Sequence, residues 1–180
     1  MLASIGLIAL TMLIASPLAR RMDQRAGWVL ALAPLVAFAY FMTQMPVVAS
    51  GGVIMSTLAW VPALGVELAF RLDGLSLLFA LLITGIGTLI VLYAGGYMKG
   101  HPQQGRFIGF ILLFMGAMLG LVVSDSFLML FVFWELTSIT SFLLIGFWSH
   151  RQDARDGARM ALAITGAGGL ALLGGVILLG

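Results

Sequence analysis

The sequence contains no cysteine, little charge and only two histidines. Without cysteine the chain forms no disulfide, supplies no thiolate to an iron–sulfur cluster and offers no thiol nucleophile. Only 9% of its 180 residues are charged, against about 25% in soluble domains, and 62% are hydrophobic. With a mean hydropathy of +1.14, this is the composition of a polytopic membrane protein. His101 and His150 stand outside the apolar runs, far apart in sequence, and a metal site needs more ligands than they offer. We therefore expect no metal and no cofactor. The net charge of +2 comes from arginines that flank apolar runs, which argues against a nucleic-acid partner.

What is present is a series of apolar runs. Six spans are expected, over about 2–19, 27–45, 75–95, 107–123, 127–148 and 160–180. The first has no positive residue before it and Arg20-Arg21 directly after it, the reverse of a signal peptide, so it is expected to be a retained helix. Basic residues are nearly missing from one side. The first, third and fifth loops carry Arg20, Arg21, Arg25, Lys99, Arg106, Arg151, Arg155 and Arg159, eight of the nine, and the other side holds only Arg71. The positive-inside rule places those eight in the cytoplasm and the N-terminus outside, for a multi-pass protein of the cell (plasma or inner) membrane.

Residues 46–74 are too long for a tight turn and too polar to span. Val66 to Asp73 alternates apolar and polar, the period of a strand, and Pro62 to Gly65 separates it from Ser56 to Val61. The fold class is thus an all-α polytopic membrane protein of about six transmembrane helices, with a short external β-hairpin between helices 2 and 3. The hairpin is read as a brace or a subunit contact, with Glu67 and Arg71 on one face. Asp73 is placed to cap the third span, and Gly95-Gly96 to break it beyond Tyr93. Gly116 and Gly120 read as a small-residue packing pair. Ala163, Ala167, Ala171 and Gly175 form a stripe for tight packing in the sixth span.

One carboxylate interrupts the spans. Glu135 lies eight residues after Phe127, which at ~1.5 Å per residue is roughly 12 Å down a hydrocarbon core about 30 Å thick. A charge near the midplane is costly, so its default reading is functional: a proton or cation site, or half of an intramembrane ion pair. The alternative is a protonated side chain that only hydrogen-bonds a neighbouring helix. Ser138 follows three positions later on the same helix face, and Thr137, Thr140 and Ser141 add hydroxyls. Thr137, Ser138 and Ser141 could line a hydrated track, or bond back to the preceding turn as such residues do in membrane helices. Asp125, in the short Ser124-Asp125-Ser126 turn, is either the N-cap of the fifth span or an outer carboxylate that hands protons toward Glu135.

These residues resemble a known family. Phe70-Arg71-Leu72-Asp73-Gly74-Leu75-Ser76-Leu77-Leu78-Phe79, followed by Tyr93-Ala94-Gly95-Gly96-Tyr97-Met98, is similar to the N-terminal signature of the large antiporter-like membrane subunits. Those subunits occur in Mrp-type multisubunit Na⁺/H⁺ antiporters, respiratory complex I and membrane-bound hydrogenases. Phe133-Trp134-Glu135-Leu136-Thr137-Ser138, followed by Ser141 to Trp148, most resembles the A subunit of the Mrp antiporter. The resemblance runs from about Phe70 to His150.

It implies that Glu135 pairs with a lysine on a seventh helix, and that protonation and pairing accompany cation movement. No lysine lies in the chain's own spans. Residues 1–180 are expected to be a single transmembrane domain, the N-terminal fragment of a longer subunit. The implied function is that of a secondary ion transporter subunit, not an enzyme, with other membrane subunits, the lipid bilayer, protons and monovalent cations as partners. The alternative is a proton-pumping subunit of complex I or a membrane-bound hydrogenase, and so part of a redox-driven translocase. The same glutamate would serve either.

Overall fold

The computed structural model describes residues 2–22, 25–61 and 66–179. These form six helices and one two-stranded sheet: α1 Leu2–Met22, α2 Ala26–Ala49, β1 Ile54–Val61, β2 Val66–Leu72, α3 Gly74–Tyr97, α4 Gln104–Val123, α5 Phe127–Ile145 and α6 Gln152–Leu179. The expected Pro62–Gly65 connection, and Gly180 at the end of the sixth expected span, lie outside the described residues. Helices α2 to α6 are each long and apolar enough to cross a membrane, and the apolar stretch of α1 is the shorter Ala3–Ala19. The all-helical membrane architecture with a hairpin between the second and third helices is as the sequence indicates.

Helices α1 to α4 make the core. α2 packs along α3, α1 along α4, and α4 also meets α3 and α5. Two crossings are closed by glycine. A Cβ on Gly27 would lie 2.6 Å from the Gly95 Cα, so α2 and α3 touch backbone to backbone there. A Cβ on Gly105 would meet the Ala15 carbonyl and the Ser16 Cα of α1, both at 2.7 Å. Gly95 therefore does not break α3, which runs on to Tyr97; the left-handed turn comes at Gly100, with φ +74°. Buried Gln104, at the start of α4, donates its Nε2 hydrogen to the Gly95 carbonyl at 2.9 Å. That carbonyl belongs to the last turn of α3, where the helix leaves its own oxygens without partners.

The hairpin pairs antiparallel, with Ile54 opposite Leu72, Ser56 opposite Phe70 and Leu58 opposite Leu68. Period-two alternation puts Phe70 and Leu72 inward, where both are buried, while Arg71 is exposed. Arg71 turns to Asp73 at 3.6 Å rather than to Glu67 on its own strand face. β2 also bridges to Ser124 at Phe70, and the Asp125 N–H donates to the Ala69 carbonyl at 3.0 Å. The hairpin thus braces the turn between α4 and α5.

Several boundaries move, three of them with a bearing on the site or its neighbours. α2 runs on to Ala49, past the expected end at 45. α5 ends at Ile145 rather than Trp148: the next N–H, of Phe147, bonds three residues back to the Leu144 carbonyl at 3.2 Å, and the Phe147 ring turns in against Phe107 and Phe110. α6 begins at Gln152, eight residues before its expected start. Its polar first turns are held by bonds one turn apart, Gln152 to Asp156 and Arg159 to Asp156, so the helix forms before it becomes apolar. The stripe of Ala163, Ala167, Ala171 and Gly175 is exposed. α6 lies on α5 through a different face, on which Ala158 and Gly169 are buried, because the side chains of α5 meet that face instead.

Candidate functional site

The site is built on α5. Its N-terminus is capped by Ser126, whose hydroxyl accepts the Met129 N–H at 3.2 Å. Asp125 is therefore not the cap, in contrast to one expectation. Its backbone is held by β2 and its side chain is exposed, because the chain is still extended at Ser126 and the helix begins one residue later. Further down, the Phe133 ring lies against the backbone of Gly120 on α4 and 6.2 Å from the Phe70 ring of β2. Those contacts fix the rotation of α5 just before Glu135.

Fixed in this way, Glu135 points toward α6. Its carboxylate lies over Gly169, so close that a Cβ there would overlap Oε1. Oε1 is shut off from solvent and has no hydrogen-bond partner among the described residues. No ion pair among the described residues includes Glu135. A buried polar atom without a partner is uncommon and asks for an explanation, such as a proton, a water or a cation supplied from elsewhere.

The hydroxyls around it bond mostly within their own helix. Thr137 Oγ1 donates to the Trp134 carbonyl at 2.7 Å and Ser138 Oγ to the same carbonyl at 3.2 Å. Thr140 Oγ1 reaches the Leu136 and Thr137 carbonyls at 2.9 and 3.0 Å. Their hydrogens are committed to the preceding turn, as the structural alternative held, but their oxygens keep lone pairs. Ser138 and Thr140 are buried, and half-buried Ser141 makes no hydrogen bond among the described residues. Asp125 is not brought to this group: nine residues of helix rise, about 13 Å, separate the cap from Glu135.

Sequence reasoning misses two features. One is the role of Gly169, a contact between helices with no local signal. The other is an aromatic cluster near the C-terminal end of α5, where Trp148 stands edge-on to both His101 and His150, at 5.1 and 5.7 Å. Distance along the chain hides the fact that one ring gathers both histidines. Among the described residues no three His, Cys, Asp or Glu side chains could hold a metal.

A multi-pass membrane protein of apolar helices with one two-stranded hairpin, and with a carboxylate set within one of those helices, is the class defined by this fold and site. Residues 60–108 match the family described as NADH-ubiquinone oxidoreductase (complex I), chain 5 N-terminus, and residues 124–179 match NADH:quinone oxidoreductase/Mrp antiporter, TM. The A1 member of the Na⁺/H⁺ antiporter of Staphylococcus aureus is 52% identical over 153 residues, which is 85% of this chain and 19% of that protein. Among solved structures, the Mrp complex from Dietzia sp. DQ12-45-1b superposes with a TM-score of 0.85 at 34% identity, over 95% of this chain and 18% of that one. An archaeal membrane-bound sulfane sulfur reductase gives 0.72 at 21% identity, over 94% of this chain and 26% of that one, a likeness of fold. The chain belongs to the antiporter-like membrane subunits, and within them it is similar to the N-terminal portion of the A-type Mrp proteins. It spans about a fifth of the length of the curated relatives it matches.

Proposed function

We propose that the chain serves a multisubunit Na⁺/H⁺ antiporter of the plasma membrane and that Glu135 is its proton-transferring group. The observation that carries this reading is the Glu135 Oε1 atom, buried in a membrane-spanning helix without a donor. A carboxylate left unpaired by its own neighbours can accept a proton or a cation that arrives from another segment. Moving a cation toward or away from it then switches it between holding and releasing that proton. Thr137, Ser138 and Ser141 supply acceptor oxygens along the same helix, and Asp125 is the outer carboxylate nearest in sequence. The partners are other membrane subunits, protons and monovalent cations. The chain acts as a transporter subunit rather than an enzyme. The antiporter is preferred over a redox-driven arm because the relatives at 52% identity carry the antiporter name. The reductase, at 21%, speaks for fold alone.

The test is exchange by the whole complex in vesicles. Glu135→Gln keeps the shape and cannot exchange a proton; it should abolish cation/proton exchange in a complex that still assembles. Glu135→Asp keeps the acid, withdrawn by one methylene, and should leave partial exchange. Near-normal exchange by an assembled Glu135→Gln complex would refute the assignment.

A further inference from the structure

We propose that Gly169 is a positioning residue: the side chain it lacks is the seat on α6 that sets where the Glu135 carboxylate stands. This rests on Glu135 being the proton-transferring group. α6 carries Gly157, Gly166, Gly168, Gly169, Gly174 and Gly175, and they are not equivalent. A Cβ on Gly166, Gly168, Gly174 or Gly175 would meet nothing within 4 Å, and on Gly157 only ordinary contact with Ile145 at 3.8 Å. Gly169 alone among them is required by a close approach, and the approaching atom is Glu135 Oε1. The neighbouring Trp134 Cδ1 would stand at 3.6 Å, ordinary packing distance, so the carboxylate is the specific occupant.

The seat works by shape. Backbone N–H groups in the middle of a helix are committed to carbonyls one turn back, so the Gly169 surface has no free hydrogen to give. That agrees with an Oε1 that is enclosed and yet unpartnered. A carboxylate held by walls rather than by donors keeps its lone pairs for a proton or an arriving cation. α6 therefore contributes to the site although none of its polar side chains reaches it. The atom that must yield to a methyl group is the end of a flexible side chain, not backbone. Gly169→Ala should consequently displace the carboxylate and leave the helices where they are.

The experiment uses the full-length protein in its complex. The carboxyl C=O stretch of Glu135 is identified in infrared difference spectra as the band lost in Glu135→Gln. Gly169→Ala should shift that band, and Gly168→Ala should leave it in place. Exchange by Gly169→Ala should fall about tenfold or more, since misplacing a reacting group by an ångström can cost that much. Adding Glu135→Asp to Gly169→Ala should restore part of the exchange, because the shorter acid clears the methyl group. It should also restore assembly if the single variant assembles poorly. An unmoved band in Gly169→Ala, or a double variant that assembles no better than a defective single one, overturns the proposal. A shifted band with undiminished exchange upholds the seat and removes Glu135 from the transport step instead.

Discussion

The Phe133 ring of α5 fills the place where Gly120 of α4 has no side chain, and a methyl group on Gly120 would overlap it. The same ring faces Phe70, which β2 buries against the helices. One aromatic side chain thus ties the hairpin, α4 and α5 together, two residues before Glu135. Gly120→Ala should force the ring aside at an overpacking cost of about 1–3 kcal/mol. It should also turn α5 enough to disturb Glu135. A lowered melting temperature of the complex together with reduced exchange is the expected pair of results. Loss of neither would mean that the ring has room to spare.

Gln104 joins α4 to the end of α3 through its bond to the Gly95 carbonyl, next to the Gly27–Gly95 backbone contact. Gln104→Leu keeps much of the volume and removes the donor. A buried carbonyl left without a partner costs about 1–3 kcal/mol, so thermal stability should drop while the helix pattern persists. An unchanged melting curve would show that water reaches Gly95.

Much of this fold is legible because membrane helices announce themselves by length and hydropathy, and the hairpin by its alternation from Val66 to Leu72. The misplaced starts and ends have a common cause: hydropathy marks where a helix is apolar, not where it is helical. α6 begins at Gln152 in a charged segment, and α5 stops at Ile145 although Phe147 and Trp148 are apolar. The cap of α5 is ambiguous in sequence because Ser124, Asp125 and Ser126 are all good caps; which one serves depends on the pairing of Ala69 with Asp125, a contact made from a distant strand. Glu135 is visible as a lone charge. Its seat on Gly169 is not, since contact between two helices leaves no mark in either.

Asp73 caps α3, accepting the Ser76 N–H at 3.0 Å and the Ser76 hydroxyl at 3.1 Å. The backbone N–H above all holds its carboxyl below the ordinary carboxylate value; burial opposes this, and the Ser76 hydroxyl and Arg71 assist. A carboxyl lowered in the folded state stabilises the fold above its unfolded-state value, and this contribution is lost as pH falls through the folded-state value. Asp73→Asn should keep the cap and flatten that acid limb of the stability curve. Asp73→Ala should flatten it and also lose about 1 kcal/mol near neutrality. An acid limb unchanged in both variants would exclude Asp73 as its source.

Ser126 and Asp125 separate capping from any outer proton role. Ser126→Ala should cost about 1 kcal/mol as a lost N-cap. Asp125→Asn should leave stability within about 0.5 kcal/mol, because the backbone N–H, not the side chain, binds Ala69. With roughly 13 Å of helix between the cap and Glu135, exchange should also survive in Asp125→Asn. A strong loss of exchange at undiminished stability would instead make Asp125 the outer carboxylate of the proton route.

Orientation can be read directly, because the chain has no cysteine of its own. Ser50 follows the end of α2 and Gln103 precedes α4, and both are exposed. Between them runs α3, whose 24 residues extend about 36 Å, enough to carry the chain across a hydrocarbon core of about 30 Å. The two positions must then lie on opposite faces. Eight of the nine basic residues fall in loops on the Gln103 side of that arrangement, so by the positive-inside rule that face is expected to be the cytoplasmic one. In intact cells a membrane-impermeant thiol reagent should modify Ser50→Cys, and should reach Gln103→Cys only after the membrane is opened. Reversed accessibility would invert the chain and put its N-terminus inside. Equal accessibility from one face would mean that α3 does not cross the membrane.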